Sequence, residues 1–479
     1  MSTVRQAVVY SSASRYVMRF IGLVSTMLVA RLLTPSEIGT FAVASAIVMI
    51  MSEFRILGAG AWLVRENDIP EEKVRTALGL TVLISWGLGV VVFLMAPAVA
   101  AFYDLPPIEF VFRILSISFL FAPYISIPTS LLSRRYQFKT LFWVKLVATL
   151  TGFVTTITLI LLEYSFYALA WGYTATILAE FMMITWLRPP AMVWRPTFRN
   201  LMPVASFGVF NSIANMLKRA TVTVPDMVIG KMGTTAQVGM YSRGLGFVEF
   251  VSQTLITGVN PVVLPYLSDT KRSGGSLQDA YIRASVLMGA LVWPVLAVVS
   301  LASLPTIRLF FGNQWDAAAP IASWLAIWAM LRTAHWFSTD LFLANGNERL
   351  MAVKESGVFA LLFVGIVVAF PYGLERVAQV FVLVGVVEFF VTALLLKRTI
   401  GLRLFVFCQA WVKTLALTLI CALVTAAIGL FVPFDGEHVL VPIVVIALVL
   451  PTVWIVSLFF LQHPLWAEVQ RMYSKISGR

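Results

Sequence analysis

Long apolar runs, separated by short polar connections, repeat from one end of the chain to the other, and each run is about twenty residues long. That length and composition match an α-helix crossing the hydrocarbon core of a bilayer. About fourteen spans are predicted. They fall at 8–31, 36–58, 76–101, 109–133, 140–162 and 166–187, then at 202–231, 236–264, 280–303, 317–344, 353–372 and 377–396, with a final pair at 410–433 and 438–461. The pattern predicts an all-α polytopic membrane protein. Beyond the last run, Trp466, Val469, Met472, Tyr473 and Ile476 recur near helical spacing, with Arg471, Lys475 and Arg479 elsewhere on the wheel. Such a segment suits a short amphipathic helix on the inner membrane surface, and a frayed solvated tail is the competing expectation.

One polar interruption organises the rest. Arg31 to Phe41 reads RLLTPSEIGTF, a tight corner between the first two spans. Thr34 suits the N-cap of the second helix, Pro35 its first position, and Glu37 completes a capping box. Gly39 leaves room for a close neighbour. Two hundred residues later the chain echoes itself: Val9, Ser12, Arg19, Val24, Thr34 and Gly39 recur as Val209, Ser212, Arg219, Val224, Thr234 and Gly239, and Arg31 returns as Lys231. The echo predicts two homologous lobes, 1–200 and 201–400, followed by two further spans and the amphipathic tail over 401–479. Transporters commonly build a site at the interface of such repeats. The second corner departs from the first, with Thr235 and Gln237 in place of Pro35 and Glu37.

Composition agrees with the periodicity and excludes other classes. The chain is 59% hydrophobic and 12% charged, with a mean hydropathy of +0.89, whereas a soluble domain carries about a quarter charged residues. The net charge of +12 does not point to nucleic acid, because the basic residues gather between the apolar runs. Alternate connections hold Lys73 and Arg75, Arg134, Arg135 and Lys139, and Lys397, Arg398 and Arg403, while the opposite ones hold Asp104, Glu163, Asp435 and Glu437. That asymmetry predicts both termini in the cytoplasm. Arg15 and Arg19 interrupt the first run, so it is expected to be a retained helix and not a cleaved leader. Two cysteines about 20 Å apart on one helix, Cys408 and Cys421, and three scattered histidines imply no redox centre, cofactor or metal site.

An ionisable side chain at mid-bilayer costs about 2.5–3.5 kcal/mol and should face protein or a watery cavity. Arg15 and Arg19 share a face of the first helix, and Lys218 and Arg219 sit at its counterpart. With Arg243 and Arg332 they form a basic set suited to an anion, plausibly a phosphate. Trp336 lies four residues after Arg332 and Asp340 four later, an i, i+4, i+8 row. Glu180, Asp226, Glu249, Asp340 and Glu388 are candidates for proton or sodium coupling. The structural alternative pairs Arg219 with Asp226 and Arg243 with Glu249, and leaves Glu180 and Glu388 as the lone acids of their spans.

RLLTPSEIGTF, Pro261 to Asp269 (PVVLPYLSD) and Arg308 to Pro320 (RLFFGNQWDAAAP) resemble the polysaccharide transporter, or oligosaccharide flippase, family of the multidrug/oligosaccharidyl-lipid/polysaccharide exporter superfamily. The resemblance covers most of residues 1–400. It implies two six-helix lobes around a central cavity in the bacterial inner membrane, moving an undecaprenyl-diphosphate-linked oligosaccharide between leaflets by alternating access. Arg15, Arg19, Lys218, Arg219, Arg243 and Arg332 would then hold the diphosphate, and Trp336 could stack on a sugar. Membrane lipids and polysaccharide polymerase or export machinery are the implied partners. Fourteen spans also resemble the lipid II flippases, which keeps a peptidoglycan-precursor role open. A drug/cation antiporter would predict an acidic cavity, and an enzyme would need catalytic groups in a long outer loop, which is absent from the spacing. A non-transporting scaffold of polysaccharide assembly is the remaining alternative.

Overall fold

Helices hold most residues of the computed structural model. It describes residues 2–476 except 56–57, 67, 190–191, 345–346 and 437–438; the side chains of 2–13, 61, 65, 206–211, 214, 258–266, 268–269, 271–272, 340, 343–344, 348 and 472–476 also lie outside the description. Among the described residues there is no strand. The protein is an all-helical, polytopic membrane protein. Nine described helices are long and apolar enough to cross a bilayer, and a tenth span is a pair bent by 45°. The other expected spans, 8–31, 202–231, 236–264 and 317–344, are helical too but fall outside that group.

The chain forms two compact units, Met1–Ser242 and Arg243–Arg479. In the first, α1 is Ser2–Leu32, α2 Pro35–Phe54, α3 Ala59–Arg65, α4 Glu71–Tyr103, α5 Pro107–Phe121, α6 Pro123–Arg134, α7 Phe138–Leu161, α8 Tyr167–Leu187 and α9 Met202–Met232; α10, Thr235–Arg272, begins there and continues into the second. Within this unit α7 packs on α8, α4 on α5, α2 on α9 and α5, and α1 on α7. α7 and α8 approach through reciprocal glycines: a Cβ on Gly152 would lie 1.8 Å from Thr176 Oγ1, and one on Gly172 would lie 1.8 Å from Thr156 Oγ1. Small residues let backbones close up in this way where lipid supplies no hydrophobic drive.

The corner that opens α2 is built as its sequence dictates. Thr34 N donates to Glu37 Oε2 at 2.8 Å, and Glu37 N to Thr34 Oγ1 at 3.3 Å. The departure expected at the second corner is smaller in effect than in sequence. Gln237 accepts from Thr234 N at 2.9 Å, and its own N–H reaches Thr234 Oγ1 at 3.2 Å, because the reciprocal box needs an acceptor oxygen and not a charge. The helices meet there backbone to backbone. A Cβ on Gly39 would fall 1.7 Å from Thr235 O, one on Gly239 2.0 Å from Pro35 O, and Ser36 Oγ lies 2.6 Å from Thr235 Oγ1.

In the second unit, α11 is Leu277–Leu301, α12 Ser303–Phe311, α13 Ala318–Ala334, α14 Ser338–Ala344, α15 Glu348–Ala369, α16 Leu374–Ile400, α17 Leu404–Phe431, α18 Leu440–Phe460 and α19 Pro464–Ile476. α11 packs on α13 and α17, α13 on α16, and α15 on α16. The tail is a helix, α19. Its Trp466 packs edge-on to Phe459, and Glu468 pairs with Arg283 at 2.5 Å. Side chains such as Leu94, Leu430, Phe431 and Phe460 are largely exposed, which is the inside-out surface of helices bathed in lipid.

Two expected spans prove to be broken. The span 109–133 bends where Pro123 starts α6, and 317–344 is interrupted at 335–337 between α13 and α14. Non-helical backbone at membrane depth persists only where protein or a wet cavity satisfies it. At the second break, His335 Nδ1 meets Tyr281 Oη at 3.0 Å and its ring stacks on Phe407.

Candidate functional site

The candidate residues fall into two groups, one in each unit. In the first, Arg15 and Arg19 lie half-buried on α1, and Lys218 and Arg219 half-buried on α9. α1 packs chiefly on α7 and α9 on α2, so these basic pairs are carried by helices with different neighbours. Arg219 does not pair with Asp226. Its Nε lies 4.0 Å from Glu53 Oε1 and its Nη2 3.6 Å from Met49 Sδ, both on α2. Asp226 is buried beside Tyr241, and its Oδ1 has no hydrogen-bond partner among the described residues.

Glu180 is not a lone acid. Lys145 Nζ of α7 reaches its Oε1 at 2.9 Å, the lysine half-exposed and the carboxylate nearly enclosed. The second unit repeats this pairing. Lys354 of α15 lies 2.9 Å from Glu388 of α16 and 3.0 Å from Glu355, with all three side chains at least 85% buried. The buried cation neutralises acids that would otherwise be costly to enclose. Lys145, Lys354 and Glu355 are absent from the sequence-derived set, although each acid had a lysine 34 or 35 residues upstream as a signal.

Arg243 does not pair with Glu249 either. Its guanidinium sits 5.2 Å from the Phe311 ring centroid and 5.1 Å from that of Trp315. Glu249 is taken instead by Arg332 of α13, at 3.6 Å, while the Arg332 guanidinium lies 5.1 Å from the Trp328 ring. Aromatic faces hold a cation without neutralising it, so Arg243 keeps its full charge. The row Arg332, Trp336, Asp340 does not lie on one helix, since α13 ends at Ala334 and Trp336 falls in the break. The side chain of Asp340 lies outside the described residues, as do those of most of Pro261 to Asp269.

The RLFFGNQWDAAAP stretch supplies the floor under Arg243. Phe311 and Trp315 are both fully buried, and the chain turns between them at Gly312, whose φ of 97° suits only glycine. Arg308 clamps the loop through a two-pronged pair with Asp316, at 2.9 and 2.7 Å, and donates to Asp435 O at 3.0 Å. The Asp316 hydrogen bonds raise the Arg308 pKa further, so this clamp stays charged throughout the physiological range.

Broken spans and half-buried guanidinium groups in an all-helical membrane protein are features of a transporter fold. The structure superimposes on the lipid II flippase MurJ in an inward closed conformation with a TM-score of 0.73 at 14% identity, over 95% of this chain and 99% of that one. The chain belongs to the polysaccharide biosynthesis protein family, whose sequence profile matches residues 28–320. It is similar to the teichuronic acid biosynthesis protein TuaB of Bacillus subtilis (strain 168), 25% identical over 391 residues, covering 80% of this chain and 79% of TuaB. It is also similar to the succinoglycan biosynthesis transport protein ExoT of Rhizobium meliloti (strain 1021), 24% identical over 312 residues, 64% of this chain and 62% of ExoT.

Proposed function

We propose that the protein is a flippase, carrying an undecaprenyl-diphosphate-linked oligosaccharide from the inner to the outer leaflet of the bacterial inner membrane. The cargo is the repeat unit of an exopolysaccharide, capsule or O-antigen. Family membership carries this reading: relatives are named for teichuronic acid biosynthesis and succinoglycan transport, and the fold is one that a lipid II flippase uses. It is a transporter and not an enzyme.

The mechanism is alternating access by two repeat lobes with both termini in the cytoplasm. Arg15, Arg19, Lys218, Arg219, Arg243 and Arg332 hold the diphosphate, guanidinium groups being well shaped for phosphate oxygens. The salt bridge from Glu53 to Arg219, at 4.0 Å, is loose enough to be exchanged for a phosphate oxygen. Trp336 offers a stacking face to a sugar. Asp226, buried with an unpartnered oxygen, is the leading group for proton or sodium coupling. Polysaccharide polymerase and export machinery take the cargo onward.

The test is leaflet exchange of a fluorescent undecaprenyl-diphosphate oligosaccharide in proteoliposomes, with and without proton and sodium gradients. Exchange that collapses in Arg19→Ala and Arg219→Ala, in protein that still folds and inserts, supports cargo and site together. Normal exchange in both variants removes the diphosphate site, and no exchange or binding by the wild type removes the cargo.

A further inference from the structure

The first unit holds a pocket of about 330 Å³ whose lining includes none of the residues assigned to cargo. Its lining includes Arg55, Lys145, Glu180, Ser126, Thr129 and Ser130 beside the apolar Ile125 and Ile177. The framework is rigid. Gly60 of α3 sits so close to α6 that a Cβ there would lie 2.3 Å from Ser130 Oγ. Arg134 at the end of α6 donates to the α3 carbonyls of Leu63 and Val64 at 3.0 and 3.1 Å.

Arg55 is the unusual member. It caps the C-terminus of α2, where the helix dipole favours a cation, and its guanidinium lies 5.7 Å from the Phe119 ring centroid. It makes no ion pair among the described residues. Its Nε and Nη1 are buried without hydrogen-bond partners among the described residues, as are Ser126 Oγ and Thr129 Oγ1. Buried polar groups in native proteins are nearly always satisfied, and a cluster of unsatisfied ones needs a reason. Here four such atoms fall in residues that line one pocket. All four groups can donate, and with Lys145 set against Glu180 the remaining charge is the single positive one of Arg55. A wall of donors with one excess positive charge fits a tetrahedral oxyanion. The volume admits a phosphate with part of its substituent or a few waters, and is larger than a halide needs.

We propose that this pocket binds a phosphate-class oxyanion inside the first unit, with Arg55 as its counter-ion and Ser126 and Thr129 as donors. Lys145 becomes a second cationic contact when the anion draws it from Glu180. The phosphate comes either from a soluble compound or from the headgroup of an anionic phospholipid, since α2 and α6 both end at this pocket beside the connections rich in basic residues. The site does not depend on the flippase reading, and none of its members belongs to the cargo set.

The experiment is calorimetric titration of the full-length protein with inorganic phosphate, in nanodiscs of phosphatidylcholine and of phosphatidylglycerol. Saturable binding is expected in phosphatidylcholine. Arg55→Gln should weaken it roughly tenfold or more, as loss of charge-assisted hydrogen bonds does. The near-isosteric pair Ser126→Ala with Thr129→Val should weaken it several-fold, and keeps the test intact should Arg55→Gln not fold. Binding abolished in phosphatidylglycerol assigns the site to a lipid headgroup; equal binding in both lipids assigns it to a soluble phosphate. Affinity unchanged in both variants, or no saturable binding by the wild type in either lipid, overturns the proposal.

Discussion

The two lysine–glutamate pairs differ in burial, and that difference sets a measurable contrast. Lys354 has 6% of its side chain exposed, and its partners Glu355 and Glu388 have 6% and 15%. Lys145 has 48% exposed against 10% for Glu180. Lys354→Met keeps the length and removes the charge, taking an ammonium away from two enclosed carboxylates. Removing one partner of a buried pair costs about 3–5 kcal/mol, because the charge left behind has lost its compensation without regaining water. Lys145→Met strands one carboxylate where Lys354→Met strands two, and it breaks the more open of the two pairs, so it should cost less, about 2 kcal/mol. Adding Glu388→Gln to Lys354→Met should recover part of the larger loss. Reversible unfolding in mixed micelles, followed by tryptophan fluorescence, separates the two values. If Lys354→Met stays within about 0.5 kcal/mol of wild type, or Lys145→Met matches it, burial does not govern these pairs and the reasoning fails.

Three further expectations concern the corners and the tail. Gly39→Val should destabilise the first unit by about 1–3 kcal/mol or prevent its folding, since even a Cβ would overlap Thr235 O; an insertion and thermal-stability assay decides it. Arg308→Lys loses the two-pronged contact with Asp316 and should loosen the loop under Arg243, seen as faster hydrogen exchange at 312–316, while Arg308→Ala should do so more strongly. His463, almost fully buried, accepts Leu465 N–H on Nδ1 at 3.1 Å, so Nε2 carries the proton and faces Thr414 Oγ1 at 3.1 Å. Burial first, and Lys413 second, push its pKa down from 6.5 to about 4. The unfolded form binds the extra proton, so this contribution is complete above pH 6.5 and is lost as pH falls toward 4, by up to about 3 kcal/mol. Release of α19 in that window, read by hydrogen exchange over 464–471 and absent in His463→Gln, is the expected result; exchange that is flat with pH would refute it.

Much of this architecture was legible because a bilayer constrains sequence more than water does. Every expected span is helical or a broken helical pair, and the Thr34 corner follows from its capping box. The break at Pro123 was signalled by the proline itself, which cannot continue the ladder. The break at 335–337 carried no such signal, since tertiary stacking around His335 produces it. The ion pairs were hidden for a different reason. Lys145 and Lys354 are 209 residues apart, and Glu180 and Glu388 are 208 apart. The corners repeat at 200, and at that offset Lys145 falls opposite Asn345 and Glu180 opposite Val380. The drift has a structural source: α2 stops at Phe54 and gives way to α3, whereas α10 continues to Arg272. The partners of Arg219 and Arg243 were not legible, because contact between helices and not proximity along one helix decides them.

The boundary between the two compact units falls at Ser242, inside α10. The chain passes from one unit to the other within a helix of 38 residues, roughly 57 Å at 1.5 Å per residue. A gene cut at that seam would sever a helix near its start and leave eight residues of it stranded on the wrong fragment. A cut at a true connection, such as the glycine turn at 274–275, spares every helix.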